Sequence, residues 1–321
     1  MNTPEATALR GHVLQGLARN RLPGLHFPGN FLALERRRFS REAVVLALPA
    51  GPHVADSRGV IGLPAVALHV DVTLATAMRP FLAPGVRTAT VSMQIVFTGL
   101  APVGELVCEA QCLGFSQEAA LPQAVCRGEL RSAAGVICYG SGTFVQLPTP
   151  QGVQLSPTAW EVDTRGEAPP IDGTPLSAAE QQVLKHAGRC LEALAPGDCF
   201  VDRFWGGEIR SGAGKARSRL PIGPHANNRV GNSQGGLMMA YAAATAAAAV
   251  PGHRVLESIS AWFISPGVGA RLRAQSETLQ SGRSLAVVRT QVFGAGRKRV
   301  LEVITNHAAS RQGAAASTGN G

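Results

Sequence analysis

Asn228-Arg229-Val230-Gly231-Asn232-Ser233-Gln234-Gly235-Gly236 stands directly before a long alanine-rich apolar segment, and Asp56-Ser57-Arg58-Gly59-Val60-Ile61-Gly62 stands directly before another. The two apolar segments, Leu63 to Arg79 and Gly235 to Val250, are read as helices. Four runs with β-branched enrichment and partial alternation follow the first: Arg87 to Thr98, Gly104 to Gly114, Ala124 to Ser132 and Gly135 to Gln146. Four more follow the second: Arg254 to Ser265, Ala270 to Gln280, Ser284 to Phe293 and Lys298 to His307. Each half also opens with a helix, near Glu5 to Arg19 and near Ser177 to Ala193, and a strand region is expected around Phe31 to Leu48. One long helix and then a run of short antiparallel strands, twice over, is an α+β pattern built by internal duplication. A doubly wound sheet would need a helix between successive strands, and none is available.

The remaining chain divides around these halves. Leu147 to Pro175 holds six prolines and reads as a linker (148–175) between a first unit, 1–147, and a second, 176–307, with a small polar tail expected to be disordered at 308–321. Of the 321 residues, 45% are hydrophobic and 16% charged, which excludes a disordered chain. No apolar run reaches the ~18 residues that span a bilayer. The start of the chain lacks a basic segment followed by an apolar one, so no signal peptide is expected and a soluble cytoplasmic protein is. Six cysteines without a C-x-x-C pair or clustered histidines are expected as reduced, packed thiols with no metal. The net charge of +9 is uneven: residues 1–150 carry +3, 151–202 carry −5 and 203–321 carry +11. That field favours an anionic partner. With 5% aromatics and no recognition motif, a phosphorylated small molecule is expected before nucleic acid.

The residues just quoted resemble the hot-dog thioesterases. In the phenylacetate-pathway type of these enzymes the pattern is Asn, two residues, Gly, two residues, then His-Gly-Gly, with a carboxylate nine positions after the His. Asn228, Gly231, Gln234, Gly235 and Gly236 match it with Gln in place of His, and the nine-residue step lands on Ala243. In the first half Asp56, Gly59 and Gly62 hold the corresponding places and the step lands on Asp71. Each half keeps what the other lost. The stretch from Gln234 to His307 also resembles acyl-CoA thioesterase II. The resemblance implies a tandem double hot-dog, each half an antiparallel sheet wrapped around a long central helix. It also implies hydrolysis of an acyl-CoA or related thioester in fatty acid metabolism, with no cofactor beyond the CoA of the substrate. Pairing of such sheets into a homo-oligomer is an assembly it allows.

Asp71 falls on an apolar helix whose neighbours one turn away are Ala67, Leu68, Leu74 and Ala75. A carboxylate there is costly without partners or a task, and burial raises its pKa toward that of a general base, so Asp71 is expected to activate water or to attack the thioester directly. The alternative is an Asp capping a nearby loop. His69, two positions away, does not share its face and is expected to serve packing. The Gln234-Gly235-Gly236 turn opens a helix whose first N–H groups lack intrahelical partners, which suits a thioester oxygen becoming an oxyanion. Asn228 or Gln234 would add a side-chain donor. The bland reading of the two glycines is a tight loop–helix join. Thr90 stands where the family has a Ser or Thr that holds the attacking water, while the matching position in the second half is near Leu256. Arg229, Arg297 and Arg299 are expected to face CoA phosphates.

Two other motifs compete. Gly231-Asn232-Ser233-Gln234-Gly235 matches the nucleophile elbow of serine hydrolases, but Pro221 to Asn228 makes a poor core strand and no Asp follows Ser233, although Glu257, Glu277 and Glu302 precede His307 as an acid and a base of a triad would. A phosphate loop at Gly212 to Ala216 fails, because Ile209 occupies the place of its first Gly. A non-catalytic acyl-CoA-binding protein on the same fold is the main alternative, motivated by the missing His. A hydratase is disfavoured, since no Asp and His are spaced for adding water across a double bond.

Overall fold

A computed structural model describes residues 4–21, 26–83, 86–118, 120–149, 155, 171, 174–250, 252 and 254–309. The first half runs α1 (Pro4–Asn20), α2 (Phe27–Phe31), β1 (Glu35–Phe39), β2 (Val44–Leu48), α3 (Leu63–Ala77), β3 (Arg87–Phe97), β4 (Leu106–Phe115), β5 (Gln123–Ser132) and β6 (Gly135–Leu147). The second repeats that order: α4 (Ala178–Glu192), α5 (Phe200–Phe204), β7 (Glu208–Gly212), β8 (Lys215–Pro221), α6 (Gly235–Ala249), β9 (Arg254–Phe263), β10 (Arg271–Ser281), β11 (Leu285–Phe293) and β12 (Arg299–Ala309). The α+β expectation and both long helices hold.

All twelve strands form one antiparallel sheet, ordered β1-β2-β4-β5-β6-β3-β9-β12-β11-β10-β8-β7. Read outward from the β3–β9 seam, the two halves present the same sequence of strands. Ile95 lies opposite Ile259 in that seam, and both are buried. Helices α3 and α6 are apolar on nearly every side; α3 is buried almost throughout, α6 exposes only Ala244 and Ala247, and both pack against the sheet. Pro64 in the first turn of α3 costs no hydrogen bond there.

Three expectations need correction. Phe31, taken as the start of a strand region, closes the short helix α2. The second half contains α5, β7 and β8 where no element was expected. β7 is exposed throughout, and β8 points Ala216, Ser218 and Leu220 inward, so small and polar inward residues blunt the hydrophobic signal of that hairpin. β12 continues to Ala309, two residues past the expected end of the second unit. The rest of the expected tail, and most of the expected linker, lie outside the described residues.

The correspondence between the halves extends to side chains. His12 of α1 stacks on His53 with ring centroids 3.7 Å apart, and His186 of α4 stacks on His225 at 3.9 Å. The first ring of each pair bonds a phenylalanine carbonyl at the end of the short helix, Phe31 in one half and Phe204 in the other. The second ring of each pair has a buried Nε2 without a hydrogen-bond partner.

Candidate active site

The site begins with a contact only glycine permits. A Cβ on Gly236 would lie 2.6 Å from the carbonyl oxygen of Ala67 and 2.8 Å from Cα of Leu68. Backbone of α6 therefore rests on backbone of α3, and Asp71, one turn further along α3, reaches the amino end of α6. Its Oδ2 accepts from the Gly236 N–H at 2.9 Å and from Gln234 Nε2 at 2.6 Å, and its Oδ1 accepts from the Thr90 hydroxyl at 3.0 Å. The carboxyl is 4% exposed. Burial raises its pKa, and the three donors pull it back only in part.

Gln234 is fixed from its other end. As N-cap of α6 its Oε1 accepts from the Leu237 N–H at 2.9 Å, so its NH2 must face Asp71. One amide thus caps the helix and holds the acid. Gly236→Ala is expected to lower the melting midpoint by roughly 5 °C and to cut turnover together, since overpacking separates the helices and breaks the Asp71 contact. Gly11→Ala is the control, because a Cβ on Gly11 meets nothing within 4 Å. Thermal melts and rates of both variants check this; equal behaviour would count against the close approach.

Of the two backbone donors expected to meet an oxyanion, Gly236 gives its N–H to Asp71. The Gly235 N–H has no partner among the described residues and borders the same cavity. Asn228 also lines that cavity, but its Oδ1 accepts from the N–H groups of Val230 and Asn232 at 3.1 Å each. Its counterpart Asp56 accepts from Arg58 and Val60 at 2.9 Å each, and Gly59 and Gly231 share φ +78°. The matching motifs are thus matching turns. His69 is fully buried, faces the Leu46 carbonyl at 3.0 Å and makes no bond to Asp71; burial pushes its pKa down to about 4.

Asp71, Thr90, Asn228, Gln234 and Gly235 border one cavity of about 350 Å³ with Arg229. Arg297 and Arg299 do not border it. Arg297 shares a second hollow with Arg271 and Arg273, and Arg299 lies 3.3 Å from Glu302. Gly267, on the cavity wall, and Ala270, in the second hollow, are three positions apart, so these two residues lie within about 11 Å. Sequence reasoning missed Arg79 and Arg87, which also border the cavity. Arg79 stood at the expected end of the apolar helix; in the structure α3 closes at Ala77 and Arg79 opens a short 3₁₀ turn, Arg79–Phe81. The nucleophile-elbow reading finds no support. Ser233 Oγ is buried without a partner, and His307 faces Thr305 instead. Among the described residues no group of His, Cys, Asp and Glu is arranged for a metal, and no helix is long and apolar enough to cross a membrane.

Residues 224–312 match the model of the acyl-CoA thioesterase N-terminal domain. No curated protein matches the chain. Among solved structures, the tesB protein of Mycobacterium avium subspecies paratuberculosis is 16% identical with a TM-score of 0.50, covering 85% of this chain and 95% of that one. A candidate thioesterase of Novosphingobium aromaticivorans is 14% identical with a TM-score of 0.53, over 87% and 98%. A hot-dog protein of unknown function from Alicyclobacillus acidocaldarius is 9% identical with a TM-score of 0.51, over 87% and 96%. At these identities the structural likeness speaks for the fold alone. The family match bears out the resemblance to acyl-CoA thioesterases, and with it the expectation of a thioester hydrolase.

Proposed function

We propose, from the acyl-CoA thioesterase domain at residues 224–312, that this chain hydrolyses acyl-CoA thioesters at Asp71 with water as the nucleophile. The observation that carries the reading is a buried carboxylate of raised pKa, held by donors from both halves at the open end of a helix. A water beside Asp71 and Thr90 gives its proton to Asp71 as its oxygen attacks the thioester carbon. Negative charge gathers on the carbonyl oxygen, where the Gly235 N–H and the positive end of α6 stabilise it. Collapse breaks the carbon–sulfur bond, and the thiolate takes the proton from Asp71, leaving a carboxylic acid and free CoA. Both Asp71 oxygens carry donors, which favours a base over a carboxylate that attacks directly. Asn228 shapes the wall through its turn. CoA phosphates would meet the hollow of Arg271, Arg273 and Arg297.

In this reading the chain is a tandem double hot-dog of a first unit, 1–147, and a second from 176 through the end of β12 at Ala309, joined by 148–175, working in the cytoplasm on fatty acyl groups without a further cofactor. Sheet pairing into a homo-oligomer is compatible with it. Free-thiol release from a panel of acyl-CoAs tests the activity. Thr90→Val removes one donor from Asp71, so kcat should fall about tenfold, and the acid limb of the rate profile should move to higher pH. An unchanged profile would remove Thr90 from the site. Tight acyl-CoA binding with no thiol released would instead establish the non-catalytic reading.

A further inference from the structure

Cys112 of β4 and Cys126 of β5 stand directly opposite each other in the sheet. Opposed residues of an antiparallel pair have Cα atoms ~4.5–5.5 Å apart, inside the ~4.4–6.8 Å of natural disulfides. Both side chains lie on the core face: Cys126 belongs to the buried cluster and Cys112 packs against it. Burial raises the pKa of Cys126, and the facing Cys112 thiol raises it further. On its other flank Cys126 meets Gly142 of β6, which brings no side chain to compete. Cys112 lies beyond the last β2–β4 pair, Val44 opposite Ala110, and is half-buried where Cys126 is fully buried. The register slips just after Cys112, where Leu113 is 55% exposed and Gly114 takes φ +153°. Such a bulge leaves a residue outside the ladder, so the strand can shift there without breaking a ladder bond.

We infer that Cys112 and Cys126 form a reversible cross-strand disulfide, with a low-molecular-weight disulfide such as oxidised glutathione as electron acceptor. The other four cysteines lack this arrangement. Cys108 and Cys138 face Leu130 from its two sides, so two strand spacings, roughly 9.6 Å, separate them. Cys190 and Cys199 each donate to a backbone carbonyl, those of Arg203 and Val54. Half exposure assigns the first step to Cys112, whose Sγ now lies 3.8 Å from the Gly114 carbonyl, a contact the link gives up. The Cys112 thiolate attacks the oxidant, breaking its S–S bond and releasing one glutathione thiolate. Cys126, kept protonated by its raised pKa, then loses its proton and attacks the Cys112 sulfur, expelling the second glutathione. Two protein thiols are oxidised, one glutathione disulfide is reduced, and the two protons pass to the released thiols. Opposed Cβ atoms at ~4.5–5.5 Å must draw in to ~3.5–4.5 Å, and that strain leaves the bond reducible. Neither cysteine borders the active-site cavity, so the inference is independent of the hydrolase reading.

Incubating the folded wild type with oxidised glutathione should reduce its six titratable thiols by two. Its intact mass should fall by that of two hydrogens, and peptide mapping should find Cys112 joined to Cys126. Dithiothreitol should restore all six thiols. Cys126→Ala should instead retain one glutathione on Cys112, because the resolving thiol is gone. Cys112→Ser should gain neither link nor glutathione; it alters a half-buried position and so keeps the test valid if Cys126→Ala fails to fold. The link closes a loop of about fifteen residues, so the oxidised wild type should melt about 5 °C above the reduced protein. Six thiols retained, a lasting glutathione adduct on the wild type, a different linked pair or a lower melting midpoint after oxidation would each overturn the inference.

Discussion

Asp71→Asn should lower kcat/KM by about a thousandfold while leaving the fold intact. The substitution is well matched to its surroundings. An asparagine oxygen at the Oδ2 position still accepts from Gly236 and Gln234, and its NH2 at the Oδ1 position donates to Thr90, whose hydroxyl turns to accept. No hydrogen bond is lost, and a buried charge is removed. The melting temperature should therefore hold or rise, so loss of turnover cannot be charged to unfolding. The wild-type rate should fall in acid through a pKa above the ordinary carboxylate range, and that limb should vanish in the variant. Steady-state kinetics against pH, with a melt of each protein, checks the pair of effects. Retention of more than about a tenth of the activity would remove Asp71 as the base.

Acid should unfold the protein early and steeply. Burial lowers His53 and His225 to about 3, with the facing ring of each stack as the second cause, and lowers His69 and His307 to about 4. All four are buried. The unfolded chain takes up these protons near pH 6.5, whereas the folded chain refuses them until pH 3–4, so stability is full above about 6.5 and lost as pH falls below it. Each ring contributes about 1.4 kcal/mol per pH unit in that window, roughly 5 kcal/mol per unit together. Asp71 and Asp202, whose pKa values are raised chiefly by burial, work in the opposite sense, but they are two groups against four. Against a total of about 5–15 kcal/mol, two units of acidification are enough. Urea midpoints should be level from pH 7 to 8 and fall sharply below 6, and His225→Phe should soften the fall. A level midpoint down to pH 5 would contradict the buried neutral rings.

Both effects turn on groups the sequence shows unequally. The repeat was legible, because an apolar helix and four strand-like runs recur at matching distances from two glycine-marked turns. Asp71 stood out as a carboxylate where only apolar residues belong, and the structure brings Thr90, Gln234 and Gly236 to it. What those groups do to one another was not legible. The Gly236 N–H looked free at a helix start, but hydrogen-bond occupancy depends on how closely α3 and α6 cross, which no single segment encodes. The same holds for Asn228, a donor by pattern and a turn-former by geometry. The stacked histidines lie about 40 residues apart in each half, and Arg79 and Arg229, which border one cavity, lie 150 apart; such pairings exist only once the sheet has closed.

The β3–β9 seam carries one more consequence. Two identical units paired along such a seam would present two equivalent pockets, each with its own buried acid. Here the mirror of Asp71 is Ala243, and the mirror of Gly236 is Pro64, which has no N–H to donate. The second half therefore has no acid of its own at the matching position. The molecule bears the electrostatic strain of one buried carboxylate where a symmetric pair would bear two, several kcal/mol each before compensation. At the position that mirrors the acid the second half has an ordinary core residue, Ala243, packed among apolar neighbours.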